Sequence, residues 1–206
     1  MPHLVMLEKD NVRIRVAEDA VAEHLILGWS QNVGFEVDAQ SEDLRFPVSG
    51  INPPGAASDP ARDTTDGRLA FSATVDNVIA IQAQMPHAWA EGTAITPHLH
   101  WSPTNTNTGN VKWRLEYKIS DVDGTFPGSW TTVDILDAGD GVADQHQLAS
   151  FGEIAMSDNH ISCMLLIKIS RLATDIQDTY NADAKLNEFD IHYLANSLGS
   201  NESVYK

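Results

Sequence analysis

Four side chains in this sequence have the types and spacing to hold a metal ion. His98 and His100 stand two apart in PHLHW, and Asp190 and His192 stand two apart in EFDIHY. In a β-strand, residues i and i+2 leave the same face, so each pair presents two ligands side by side. Imidazole nitrogen with carboxylate oxygen suits a divalent first-row transition ion such as zinc, iron, manganese or nickel. Were the two strands neighbours, three histidines and one aspartate would converge in a centre cupin-like in ligand type, although cupins supply a Glu and a further His at other spacings. The competing reading leaves the histidines on the polar face of a sheet, paired with one another, with Asp190 or with backbone.

Other residues carry weaker chemistry. Asp121, Asp123 and Gly124 in SDVDGTF, and Asp137, Asp140 and Asp144 in DAGDGVAD, have the oxygen-rich, Gly-hinged character of calcium loops, but the first lacks the further acidic positions and distal Glu of an EF-hand. Solvated turns explain them as well. No Gly-x-Ser-x-Gly elbow and no Gly-rich phosphate loop occurs, which removes the usual signatures of hydrolase nucleophiles and nucleotide binding. Glu188 and Asp190 share a strand face as a glycosidase pair would, and surface polarity accounts for them equally. Trp29, Trp89, Trp101, Trp113 and Trp130 invite a sugar-stacking reading. Alternation puts Trp113 in the core and Trp101 opposite His98 and His100, while Trp89 and Trp130 lie near loops. Core or interface use is the expectation for most of them.

Strands must position these residues. In the segment 111–120, Val111, Trp113, Leu115, Tyr117 and Ile119 alternate with Lys112, Arg114, Glu116, Lys118 and Ser120, the pattern of a half-buried antiparallel strand. Segments 69–74, 77–85, 95–102 and 130–136 also read as strands, and PTNTNTGN (103–110) as a polar hairpin connection. The run 160–172 is apolar enough for a central strand. Segment 185–194 alternates except near Asn187 and Glu188, where a bulge is expected. Residues 44–66 are dense in Pro, Gly, Ser and Asp and read as a long loop. Seven to nine short strands predict an all-β fold, an antiparallel β-sandwich or jelly roll over residues 41–206. Residues 1–40 differ and read as an N-terminal arm making contacts between subunits, with a short strand at 11–16 and a helix or extended piece at 18–27.

The charge narrows the partners. With 29 acidic against 13 basic residues the net charge is -16, a field that repels nucleic acid and anionic membranes. No segment approaches the roughly 18 apolar residues of a membrane span, and MPHLVMLEKD lacks the pattern of a secretory leader, so a soluble, cytoplasmically made protein is expected. The lone Cys163, in an apolar run, reads as a small buried hydrophobe, and no disulfide within the chain is possible.

In combination, DLRFPVSG, MPHAWAEGT, PHLHW, NVKWRLEYK, SCMLLIKISR, EFDIHY and a terminal SLGSNESVYK resemble a family of tailed-bacteriophage virion proteins over residues 43–206. The resemblance implies a β-sandwich particle component at the head, neck or tail surface, as decoration, fibre or connector-associated protein, and no catalytic activity. It favours inter-strand packing for the PHLHW and DIHY histidines. The expected partners are other copies of the chain, as a homo-oligomer and by analogy with virion jelly rolls a trimer, and other virion proteins in a particle assembled in the host cytoplasm; no cofactor is expected. Two alternatives stand beside this. One is a glycan-binding module for host attachment. The other is a cupin-like metalloenzyme with metal ligands His98, His100, Asp190 and His192.

Overall fold

Alternation sets the layers of this protein. In the strand Asn110–Ser120, Val111, Trp113 and Leu115 are buried, while Arg114, Glu116 and Lys118 on the other face are half-buried. A computed structural model describes residues 4–9, 12–17, 30–31 and 40–196. The chain divides into two units, Met1–Asp38 and Ala39–Lys206.

The first unit holds three strands, β1 (Leu4–Lys9), β2 (Val12–Ala17) and β3 (Ser30–Gln31), in one antiparallel sheet of order β2-β1-β3. The strand expected at 11–16 corresponds to β2. The segment 18–27, Trp29 and the tail 197–206 lie outside the described residues.

The second unit is an antiparallel jelly-roll sandwich of ten strands: β4 (Gln40–Pro47), β5 (Ala61–Arg62), β6 (Leu69–Phe71), β7 (Asn77–Gln84), β8 (Thr96–Pro103), β9 (Asn110–Ser120), β10 (Thr131–Ala138), β11 (Gln147–Ser150), β12 (Met164–Arg171) and β13 (Ala184–Ala195). One sheet has the order β10-β9-β12-β7; the other runs β11-β8-β13-β6-β5, with β4 also paired to β13. Trp89, Trp101, Trp113, Phe71, Phe189 and Leu99 fill the space between the sheets. Edge-to-face ring contacts order this interior, with centroids 5.2 Å apart for Phe71 and Trp113 and 6.1 Å for Trp101 and Trp113. Among the described residues no helix is long and apolar enough to cross a membrane.

Three expectations need correction. Segment 103–110 is not a hairpin loop, because β8 and β9 belong to different sheets and the segment carries the chain from one layer to the other. Residues 44–47 are not loop: Leu44 and Phe46 alternate inward, so β4 pairs with the outer half of β13, and Phe46 meets Phe189 at 5.8 Å between centroids. A run of Pro and Gly just beyond hid that alternation. Residues 160–163 are a turn, with Ser162 at φ 66°, and the central strand starts at Met164. The remainder of the 44–66 segment is tied down by Arg62, which donates to the carbonyls of Val48, Ile51 and Gly67. The irregularity expected in the last strand is present as a register shift between Leu186 and Glu188.

Candidate functional site

The outer face of the β8-β13-β4 region collects the chemistry. Across β8 and β13, Asp190 stands opposite His98, Glu188 opposite His100 and His192 opposite Thr96; across β13 and β4, Arg45 stands opposite Asp190 and Asp43 opposite His192. The intervening residues Leu99, Trp101, Phe189 and Ile191 are fully buried in the core. Burial of that apolar set fixes the register, because a slip of one residue would turn every side chain to the wrong face. His98, His100, Asp190 and His192 therefore face away from the core together.

Three of the four converge. His98, Asp190 and His192 each offer one ligand atom, and these atoms lie within 4.8 Å of one another. His98 Nδ1 is 3.4 Å from Asp190 Oδ1, and the His98 and His192 rings meet edge to face with centroids 4.2 Å apart. His98 and Asp190 are 7% and 3% exposed, yet His98 Nδ1 and Asp190 Oδ1 have no hydrogen-bond partner. Burial, followed by the neighbouring His192, holds the His98 imidazole below its usual pKa and so toward its neutral form, against the pull of Asp190.

The other oxygen of the same carboxylate is occupied. His100 Nε2 lies 2.7 Å from Asp190 Oδ2, and His100 Nδ1 lies 2.7 Å from Nε2 of the exposed His146. His100 is thus a partner of the carboxylate, with both ring nitrogens taken, and stands apart from the converging trio. His192 Nε2 sits 2.7 Å from Asp43 Oδ1. Beside them Arg45 and Glu188 make a two-pronged pair at 2.6 Å for each contact. A cleft of about 490 Å³ opens here, lined by Asp43, Arg45, His100, His146, Asn187, Glu188 and Asp190.

Asp43, Arg45 and His146 are missing from the candidates read in the sequence. Asp43 and Arg45 alternate with Leu44 and Phe46, a strand signal inside the segment read as loop. His146 sits in an acidic turn, and no spacing rule joins it to His100, 46 residues earlier.

Most of the remaining candidates make structural contacts, and Asp123 is exposed at a turn. Asp137 accepts the Trp101 indole N–H at 2.6 Å, Asp144 pairs with Arg68 at 2.8 Å, and Asp121 accepts the backbone N–H of His160 at 3.0 Å. Trp89, Trp101 and Trp113 are fully buried; Trp89, read as near a loop, is held inside by a bridge to Ala195. The Trp130 ring lies 4.2 Å from the Lys168 ammonium and 5.1 Å from that of Lys118. Glu188 belongs to the Arg45 pair and Asp190 to the histidines, which separates the two carboxylates in partner as well as in burial.

No family profile and no curated protein matches the chain. Among solved structures it is similar to the CBM36-1 domain of a multidomain xylanase from the hindgut metagenome of Trinervitermes trinervoides, at 13% identity and TM-score 0.35, covering 74% of this chain and 96% of that one. It is similar to TmCBM61, solved with β-1,4-galactotriose, at 11% identity and TM-score 0.34, covering 76% and 88% of the two chains. A chain of infectious bursal disease virus, Gx strain, aligns at 11% identity and TM-score 0.40 over 98% of this chain and 38% of its own length. Likenesses of this size assign no ligand and no partner.

Proposed function

We propose that this chain is a structural component of a tailed-phage virion that acts by homo-oligomeric assembly and not by catalysis. The supporting observation is the N-terminal unit, in which β1, β2 and β3 form a sheet separate from the sandwich within 38 residues. A sheet that small buries too little apolar surface to be stable by itself. A sheet of that size needs a further apolar surface to pack on, and in this proposal assembly into a homo-oligomer, with a trimer as the expected state, provides it. The PHLHW and EFDIHY segments that carry the family resemblance form adjacent strands of one sheet, in keeping with a structural use. Light scattering on the full chain, with mass spectrometry of purified particles, tests the proposal. A trimer present in particles supports it, and a monomer absent from particles overturns it.

Glycan binding is the second reading. It draws on the cleft beside Arg45 and Glu188, where fixed carboxylates, a guanidinium and two imidazoles line one concave surface. Among the described residues the tryptophans do not contribute: Trp89, Trp101 and Trp113 are buried and Trp130 is capped by lysines. A glycan array at millimolar calcium separates the readings, since binding abolished by Arg45→Ala supports this one and uniform silence removes it.

A further inference from the structure

We infer that His98, Asp190 and His192 form a binding site for one divalent first-row transition ion, with zinc as the best-suited occupant. This goes beyond the assembly role and does not depend on it.

Buried polar groups are almost always hydrogen-bonded, and those that are not call for an explanation. Here two such atoms, His98 Nδ1 and Asp190 Oδ1, face each other at 3.4 Å on residues that are 7% and 3% exposed. The 3.4 Å separation is longer than a charge-assisted hydrogen bond, and a cation held between the two atoms would satisfy both.

Ligand bonds of about 2.0–2.1 Å arranged tetrahedrally place neighbouring ligand atoms about 3.3–3.4 Å apart. The observed 3.4 Å between Nδ1 and Oδ1 matches that edge. The His192 ligand atom lies within 4.8 Å of both, on a half-exposed side chain. Two imidazoles and one carboxylate leave a fourth position for water or a partner's group.

Histidine ligands are normally oriented by a carboxylate or carbonyl on the other ring nitrogen, and ligating carboxylates are themselves hydrogen-bonded. Asp43 holds His192 Nε2 at 2.7 Å, and His100 holds the remaining oxygen of Asp190 at 2.7 Å. With Nε2 held by Asp43, Nδ1 is the ring atom His192 would offer, and Asp190 Oδ1 has no hydrogen-bond partner. Because His98 and Asp190 come from adjacent strands, and Asp43 from the next, a bound ion would join β8 to β13 with β4 behind it.

The test uses the full chain after chelator treatment, with Co²⁺ as the spectroscopic probe and Zn²⁺ as competitor. The expected result is one equivalent of Co²⁺ giving visible d–d bands of a low-coordinate site, displaced by Zn²⁺. His98→Gln and Asp190→Asn should abolish the bands, and Asp43→Asn or His100→Gln should weaken affinity about 10–100-fold. His160→Gln, beside Asp121, should change nothing. Should the His98 variant fail to fold, His192→Gln gives the same readout from a half-exposed position. Absence of the bands in the parent chain, or bands that survive in Asp190→Asn and His192→Gln, overturns the inference.

Discussion

Arg171 and Asp178 form a two-pronged ion pair with both side chains out of solvent, at 0% and 2% exposure, with Nη2 2.9 Å from Oδ1 and Nε 3.0 Å from Oδ2. The remaining guanidinium hydrogens go to the carbonyls of Phe71, Tyr180 and Ala182, so all five donors are used. Asp178 also accepts the backbone N–H of Lys112 at 3.0 Å. This one side chain joins the end of β12, the end of β6 and the 175–184 segment. Arg171→Met would leave a buried carboxylate without its countercharge, with only the Lys112 N–H still bound to it, and would take one donor from each of three carbonyls. Breaking a buried pair in this way costs about 3–5 kcal/mol. Urea unfolding should show that loss at constant m-value, and a loss below about 1 kcal/mol would contradict the role assigned to Arg171.

Asp137 gives a pH prediction with a definite sign. Burial raises its pKa above the ordinary aspartate value; the Trp101 N–H, 2.6 Å away, pulls it down and the Asp140 charge pushes it up. The folded state then holds the proton more tightly than the unfolded chain. Stability from this group is fully present below the unfolded value of about 3.9 and is lost as pH rises through the raised folded value. Asp137→Asn keeps an oxygen for Trp101 and removes the titration. The variant should gain on the parent as pH goes from 4 to 7 in paired denaturation curves. A gain that shrinks over that range would mean that the Trp101 bond outweighs burial.

Much of this was legible because strand alternation is a local signal. Val111, Trp113 and Leu115 announce their own face, and the irregularity at Asn187 and Glu188 marks the register shift seen there. The i, i+2 pairs His98/His100 and Asp190/His192 likewise fix which side chains share a face. Whether β8 lies beside β13 is a property of the sheet order, set by core packing over long sequence separations, and no short motif encodes it. The same holds for His146 beside His100 and for Asp43 and Arg45 beside His192 and Glu188. Arg171 was hidden differently: its sequence surroundings read as an apolar strand end, and its five acceptors come from two other segments, the end of β6 and residues 178–182.

Gly109 and Gly139 should resist substitution where the layers meet. A Cβ on Gly109 would lie 2.3 Å from the Thr179 carbonyl oxygen, and one on Gly139 would lie 2.4 Å from that of Asn107. Both obstacles are backbone, and the Gly139 N–H already binds the Gly109 carbonyl at 3.0 Å. Overpacking of this kind costs about 1–3 kcal/mol, so Gly109→Ala and Gly139→Ala should each lower stability by at least that range. Gly50 has an ordinary φ, and a Cβ there would meet nothing within 4 Å, so Gly50→Ala should be neutral or slightly stabilising. Thermal melts of the three variants side by side check the contrast, and equal shifts would refute it.

Cys163 should behave as a sealed thiol. It is fully buried ahead of β12, and burial, reinforced by Asp121 and Glu91, pushes its pKa up to about 12. The thiolate is the reacting species, so both access and ionisation are withheld in the folded state. Labelling with an aromatic disulfide at pH 8 should be slow in the native protein and should reach one thiol per chain on unfolding. The unfolded thiol ionises near 8.5 while the folded one does not, so the folded state holds the proton and stability falls as pH rises from about 8.5 toward 12. Cys163→Ala removes that slope, and the difference between parent and variant across this alkaline range isolates the contribution of the thiol. Rapid stoichiometric labelling without denaturant, or identical alkaline slopes for the two proteins, would show that the interior around Cys163 opens far more readily than its packing implies.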